Sequence, residues 1–579
     1  MWAIFHSRLY VVFTILGILS ILLIGRLFTV QIVEGAQYQM KAREQYASNR
    51  GSFTRGNIYF TRKDGVHIAA ATIKTGYLIA IDPESLSYPK RAYATLNAII
   101  PIDKSVFFMA TNKKNDPYEK IADHVSLKQG AQIIEKHLSG VTVIRQQWIY
   151  YPGGTLAAHA IGFVAYNNSN TVSGQYGIER YYNNALVRND TNRGNFFTRI
   201  FSNSSSFLVD PRAAKEGDIV TGIEPVVEAH LLAKLKTLRT KYNAKSAGGI
   251  IMVPSTGEIV ALGSVPTYNP NTFQTASTSS FINPLVQNVY EFGSIMKPIT
   301  MASALDAGVV TPKTTYYDTA CIHVNGDKIC NWDLKGRGVI PIGQIIVQSL
   351  NVGASWLAQQ LGQQRFRDYF MKLFGQKTGI DLPGEVSGLI GNLNSARQVD
   401  FDTMSFGQGI AITPVQMIRA LGTIANAGVM VQPHIATEKI LTSGKVVPMI
   451  WNKKKRIFST LSSSETTAMM VDLTNNELYN GKYVIPGIPV AVKTGTAQLT
   501  KPDGGYYTNR FFHSYVGFFP AHAPRFIILL YVNYPHGKDP YLDEYSTETL
   551  TIPMFDMVHF LINYYHIPPN RSTVITHTS

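Results

Sequence analysis

The sequence predicts a multidomain α+β protein with a single N-terminal transmembrane helix, an extended mixed α/β platform and a larger second domain of strands and helices. Three observations predict it. The one long uncharged apolar run stands at the N-terminus, from Leu9 to Gly25. At Gly248 the texture changes from short strand-like runs rich in Asn, Ser and Gly to longer apolar runs. Strand-like runs then occupy both ends of this second part, with helical patterns between, which implies one sheet built from both ends of the domain. The 579 residues exceed one ordinary domain, and 45% apolar content suffices for sizeable cores.

In chain order, residues 1–8 form a short cytoplasmic tail and 9–31 the anchor. The apolar pattern resumes from Leu27 to Val33, and Arg26 between the two runs can snorkel to the outer interface. A cleaved signal peptide fits less well, because no small-residue cleavage site follows. His6 and Arg8 precede the span, which places the body of the chain outside. Residues 32–210 form the platform, with a helical continuation at Gln37–Gln45 and a Ser/Asn-rich loop at Ser202–Ser206. Residues 211–246 are a linker and a leading helix over Leu231–Tyr242. The second domain covers 247–567 and opens on a hairpin. Gly249–Val253 and Ile259–Leu262 flank its turn, Pro254-Ser255-Thr256-Gly257. Its clearest helix has Thr413 as N-cap, Pro414 in the first turn and Gly428 past the end. Strands are expected at Val490–Thr496, Ser514–Phe518 and Phe526–Val532, and 568–579 is a polar tail.

With 53 basic against 38 acidic residues the net charge is +15, which favours anionic lipid headgroups or an acidic wall polymer as neighbours. No nucleic-acid motif accompanies the short basic clusters at Lys234–Lys245 and Lys453–Arg456, so nucleic acid is not expected as a partner. The two cysteines, Cys321 and Cys330, flank Asn325-Gly326, a hairpin signal. A bridge between them and a pair of free thiols are both compatible with this spacing outside the cytoplasm. A metal site would lack ligands; no metal and no cofactor are expected.

Three short motifs carry the chemistry: Ser294-Ile295-Met296-Lys297, Ser349-Leu350-Asn351 and Lys493-Thr494-Gly495-Thr496. Each alone arises by chance, but the ordered set is that of active-site-serine acyltransferases. Pro298 is tolerated only in a first helical turn, so a helix must begin close to Ser294. One turn along, Lys297 is brought near the Ser294 hydroxyl. An amine is a base only when uncharged, which burial and a second cation, Lys493, would favour. Ser294 is thus the expected nucleophile and Lys297 its base. Ser349 is expected to relay a proton between the lysines, and Asn351 to hold the substrate amide. Lys493, Thr494 and Thr496 are expected to bind a terminal carboxylate, with Gly495 admitting a close-lying substrate backbone. The N–H groups of Ser294 and Thr496 would form the oxyanion hole.

With these motifs the chain resembles class B, monofunctional penicillin-binding proteins over nearly its full length. The platform has matching pieces at Arg55-Gly56-Asn57-Ile58, Tyr151-Pro152-Gly153, Ala157–Gly162 and Gly177-Ile178-Glu179. The second domain adds Phe406-Gly407-Gln408-Gly409, Ile424–Gly428 and Ser514–Phe518. The resemblance implies a penicillin-binding transpeptidase domain with a central antiparallel sheet flanked by helices, set on a pedestal. It implies a peptidoglycan D,D-transpeptidase that acts on stem peptides ending in D-Ala-D-Ala, is acylated by β-lactams and sits outside the cytoplasmic membrane. Implied partners are a polytopic glycosyltransferase of the shape, elongation and division family and other division proteins.

The run Thr403–Gly409 favours the septal over the elongation type. A non-catalytic scaffold of the wall-building complex is the reading from another class, disfavoured by the complete motif set. A β-lactamase would need a group to activate deacylating water, and none is identifiable. Phe292 stands where Pro usually precedes Gly293, a departure outside the proposed chemistry. His159 and Glu179 read as structural, His513 as a cleft-edge residue and Gln408 as a neighbour of the cleft.

Overall fold

The computed structural model describes residues 17–29, 55–113, 116–167, 171–188, 216–451, 453–536 and 545–569. The chain divides into two compact units, one of residues 1–55 and 73–150, the other of 56–72 and 151–579. This division differs from a platform running unbroken over 32–210. The cause lies in strand pairing inside the second unit. Ile58–Thr61 runs parallel to Gly217–Thr221, which in turn pairs antiparallel with Ala436–Leu441. Residues on either side of the segment 73–150 are therefore knitted into one sheet with residues from deep in the second domain.

In the first unit, the strand that reaches Ile81 pairs antiparallel with Glu119–Val125, and Val141–Tyr150 pairs with it as well. The helices Pro89–Asn97, Lys104–Thr111 and Leu127–Ile134 belong to the same unit. Ile79, Ile81, Leu96, Phe107 and Ile133 form its core. The third helix starts where it does because Ser126 and Gln129 cap each other reciprocally.

The second unit is built on a five-stranded antiparallel sheet. In chain order its elements are helix α1 (Pro225–Lys241), strands β1 (Ser246–Met252) and β2 (Ile259–Val265), and helix α2 (Lys297–Asp306). The short strands β3 (Cys321–Val324) and β4 (Asp327–Cys330) and helices α3 (Asn351–Phe374) and α4 (Pro414–Ala425) follow. Strands β5 (Ala491–Thr500), β6 (Tyr506–Phe519) and β7 (Phe526–Asn533) and helix α5 (Ser546–Tyr565) complete it. The strand order is β5-β6-β7-β1-β2, so the last three strands and the first two share one sheet, as expected from the sequence. Leu231 and Leu235 of α1 and Leu550, Met554 and Val558 of α5 are fully buried with sheet residues such as Ile251, Ile528 and Leu530. Each such side chain contributes about 1.5–3 kcal/mol. Helix α4 has the expected Thr413 cap, completed by Gln416 as a capping box. All of its residues are buried, which makes it a central helix rather than an amphipathic surface one.

Among the described residues no helix is long and apolar enough to cross a membrane. Residues 17–29 are helical, with Ile21, Leu22 and Ile24 exposed. The rest of the span expected at 9–31 lies outside the described residues. So do the helical continuation at 37–45, the loop at 202–206, the tail at 1–8 and residues 570–579.

Candidate active site

The Ser294 segment is a 3-10 turn, Gly293–Met296, that runs directly into α2. Pro298 falls in the first turn of α2, where its missing N–H costs nothing. Gly293 has φ 60°, and a Cβ there would stand 2.7 Å from the Thr496 carbonyl oxygen. A side chain at 293 is thus excluded twice, by backbone conformation and by the closeness of β5. Gly495 answers a similar constraint, since a Cβ on it would collide with the Phe292 carbonyl and the Ser514 hydroxyl. The structure gives Gly495 a physical reason other than room for substrate: the segment that leads into Ser294 lies against that face. Gly407, with φ 84°, abuts Gly293 in the same way.

Lys297 is completely buried, and its Nζ lies 2.6 Å from the Ser349 carbonyl oxygen, 2.8 Å from Asn351 Oδ1 and 3.3 Å from Ser349 Oγ. Lys493, also completely buried, reaches Ser349 Oγ at 2.9 Å and its neighbour's carbonyl, Thr494 O, at 3.0 Å. Burial pushes the Lys297 amine far below the ordinary lysine range, and the charge of Lys493 pushes it further. Burial takes Lys493 down to about 7. Lys297 Nζ donates to the Ser349 carbonyl, Asn351 Oδ1 and Ser349 Oγ, and Lys493 donates to the same Ser349 Oγ, so one hydroxyl bridges the two amines. Among the described residues the Ser294 hydroxyl has no hydrogen-bond partner, so at rest Lys297 is held by Ser349 and Asn351 rather than by the serine one turn before it.

Backbone geometry places these acceptors. Ser349 has φ 58°, in the left-handed region, which costs a non-glycine residue about 1–3 kcal/mol. This conformation turns both its carbonyl and its hydroxyl onto one amine. Asn351 opens α3 and donates from Nδ2 to the Cys330 carbonyl at 2.9 Å. A carbonyl can only accept, so this contact fixes the amide with Oδ1 on Lys297.

Cys321 and Cys330 are directly paired across β3 and β4 and joined by a disulfide. Closing so short a loop removes about 2–3 kcal/mol of chain entropy from the unfolded state. The segment that follows braces the Ser349 turn. Asn331, buried, donates to both Asp318 oxygens at 3.0 Å and accepts from Val352 N–H at 3.1 Å. Trp332 donates to the Gln348 carbonyl at 3.2 Å, and Arg337, paired with Asp333, donates to Gln348 Oε1 at 2.9 Å. None of these braces was identified from sequence. They are ordinary polar residues whose significance lies in a contact with a remote turn.

On the opposite wall, β5 is an edge strand, so one row of its backbone groups is not claimed by the sheet. Thr494 and Thr496 are half-buried on one face of it, while Lys493 and Gly495 are buried on the other. Thr496 Oγ1 accepts from Ser546 N–H at 3.0 Å at the start of α5. His513, expected at the cleft edge, is instead completely buried, with Nδ1 2.9 Å from Thr549 Oγ1. Its position on β6 turns it onto α5. His159 is buried between Ser280 O and Ser264 Oγ, and burial lowers it to about 4, a neutral structural imidazole. Glu179 is buried, with the Tyr151 hydroxyl donating to it at 3.2 Å.

The five-stranded sheet, its helical layers and the convergence of these three segments define an active-site-serine acyltransferase. Residues 247–552 match the penicillin binding protein transpeptidase domain and residues 52–191 the penicillin-binding protein dimerisation domain. The first match alone covers more than half of the chain, and the chain belongs to the penicillin-binding protein transpeptidase family, in its class B form. Stage V sporulation protein D of Bacillus subtilis is 29% identical over 533 residues, spanning 90% of this chain and 81% of the relative. Peptidoglycan D,D-transpeptidase FtsI of Escherichia coli is 26% identical over 548 residues, spanning 93% and 88%. Penicillin binding protein 2X from Streptococcus thermophilus shares the fold, with a TM-score of 0.69 and 24% identity over 89% of this chain and 80% of that structure.

Proposed function

We propose that this chain is a peptidoglycan D,D-transpeptidase of septal wall synthesis, working through a Ser294 acyl-enzyme. The observation that carries the reading is the completely buried Lys297, one turn from Ser294 and joined to Lys493 through Ser349 Oγ, its amine pushed far below the ordinary lysine range. Lys297 takes the Ser294 proton as Oγ attacks the carbonyl carbon of the penultimate D-Ala of a stem peptide. The N–H groups of Ser294 and Thr496 hold the oxygen that becomes negative, which is often the largest single catalytic contribution. The peptide C–N bond then breaks. The proton passes from Lys297 through Ser349 to the departing D-Ala amine, and Ser294 is left as an ester. In the second half an acceptor amine attacks the ester, its proton returns by the same relay, and Ser294 regains its hydroxyl.

Asn351 orients the donor peptide amide, while Thr494 and Thr496 hold the terminal carboxylate. Lys493, buried behind Ser349, acts on that carboxylate through its field rather than by contact. β-Lactams acylate the same serine. Purified protein given a stem pentapeptide and an amine acceptor is expected to release one D-Ala per cross-link, with the Ser294 ester visible by intact mass. D-Ala released with water as the sole acceptor would identify a carboxypeptidase and remove the cross-linking role.

The septal assignment is supported by the run Thr403–Gly409 and by the likeness to peptidoglycan D,D-transpeptidase FtsI of Escherichia coli. A tagged copy is expected to concentrate at the division septum, and lateral-wall patches without septal enrichment would overturn that assignment. The uncharged run Leu9–Gly25 and the helix at 17–29 support a single-pass anchor in the cytoplasmic membrane, with the second unit outside. A polytopic glycosyltransferase that supplies glycan strands and other division proteins are the partners this placement calls for.

A further inference from the structure

Helix α3 begins two residues after Ser349, and its own sequence does not cap it. Leu350 holds the cap position, and its side chain offers no acceptor. The first four N–H groups of a helix have no partner inside it. One of them, the Val352 N–H, is met from a different part of the chain and donates to Asn331 Oδ1 at 3.1 Å. Asn331 thus serves as a remote N-cap, the task that Ser, Thr, Asp or Asn ordinarily performs from the cap position itself.

The amide of Asn331 is locked in orientation. Its Nδ2 donates to both Asp318 oxygens at 3.0 Å and to the Lys335 carbonyl at 3.1 Å, groups that accept and do not donate. Asp318 and Asn331 are each 1% exposed, so water does not compete for the pair. Asp318 is fixed in turn. It ends the strand Thr315–Asp318, lies opposite Gly338 in the pairing with Gly338–Pro341, and accepts from the Arg337 N–H at 3.0 Å. The Ser349 turn is therefore held one residue before, at Gln348, by Trp332 and Arg337, and three residues after, at Val352, by Asn331. Between these anchors the left-handed backbone of Ser349 presents its carbonyl and hydroxyl to Lys297.

We propose that Asp318 and Asn331 are positioning residues for acylation: as a buried remote cap they fix the first turn of α3, and with it the Ser349 and Asn351 oxygens that hold Lys297. They act through that turn and not on the substrate. These roles rest on the Ser294 acyl-enzyme reading and add how the two-lysine network keeps its geometry. A pair that only kept the loop folded would change stability and leave the chemical step of the folded protein alone.

The test follows penicillin acylation of the full chain by stopped flow, which separates the dissociation constant of the non-covalent complex from the acylation rate constant. Thermal unfolding measures the fold in parallel. Asn331→Ala leaves the Val352 N–H without its acceptor. It is expected to slow acylation about 10–100-fold, the effect of a displacement of about 1 Å, while the dissociation constant stays within about 2-fold. Asn331→Asp sets two carboxylates against each other and is expected to slow acylation as well. Exchanging both residues, Asp318→Asn with Asn331→Asp, restores a donor between the two side chains and keeps an acceptor for Val352. The exchanged protein is expected to acylate at close to the wild-type rate, and its recovery decides the matter where a single variant does not fold. Folded single variants with the wild-type rate, a loss confined to the dissociation constant, or a folded exchange variant as slow as Asn331→Ala overturns the positioning roles. A wild type that penicillin does not modify at Ser294 would instead remove the acyl-enzyme reading beneath them.

Discussion

Lys297→Ala is expected to leave a folded protein whose acylation by penicillin is slowed about 10²–10⁴-fold, the usual contribution of a positioned general base. Burial and the charge of Lys493 both push the amine far below the ordinary lysine range, which favours the uncharged, proton-accepting form without a histidine. The sign of the pH effect follows. Lys297 loses its base function when it is protonated, so wild-type acylation should fall as the pH drops through its lowered pKa, far on the acid side of ordinary lysine. The buried pair also costs stability. Both folded-state pKa values lie below the unfolded value, so the unfolded chain binds more protons, and stability rises with pH from the folded values towards the ordinary lysine range. Stopped-flow acylation across pH, with circular dichroism as the check on fold, measures both effects. Near-normal acylation by a folded Lys297→Ala protein would end the general-base assignment.

Ser294→Ala is expected to abolish covalent labelling by fluorescent penicillin altogether, since no other hydroxyl in the site has the same position. Ser349 is the competitor bonded to both lysines. Its Oγ accepts from Lys493 at 2.9 Å and from Lys297 at 3.3 Å, so it lies within a hydrogen-bond network, while the Ser294 hydroxyl has no partner among the described residues. Ser294 also stands at the leading end of α2, where the 3-10 turn delivers it against the edge of β5. Equal labelling of Ser294→Ala and wild type, with the modified peptide mapped to residue 349, would reverse the two roles. A variant that folds but takes no label confirms the nucleophile.

Much of the site was legible because the chemistry needs particular residue types at short spacings. Ser294 and Lys297 are one turn apart whatever surrounds them, and Pro298 and Gly293 bracket where that turn must lie. The hairpin at Asn325-Gly326 was equally local, with φ values of 51° and 88° that its residues favour. His513 shows the limit of such reasoning. Strand position places a side chain on a face, but only the packing of α5 decides that this face is interior.

What the sequence determined by itself was the inventory: Ser294 with Lys297 one turn on, the two other motifs, and a sheet assembled from both ends of the second domain. All of these follow from local backbone preference and side-chain chemistry. Tertiary structure alone decided that both lysines are fully buried, that Ser349 is held in a left-handed conformation, and that the Cys330 carbonyl orients Asn351. It also decided that Ile58–Thr61 joins a sheet with Ala436–Leu441. The reason is the same each time: burial, electrostatics and strand pairing depend on groups tens or hundreds of residues away, and no local pattern carries their coordinates.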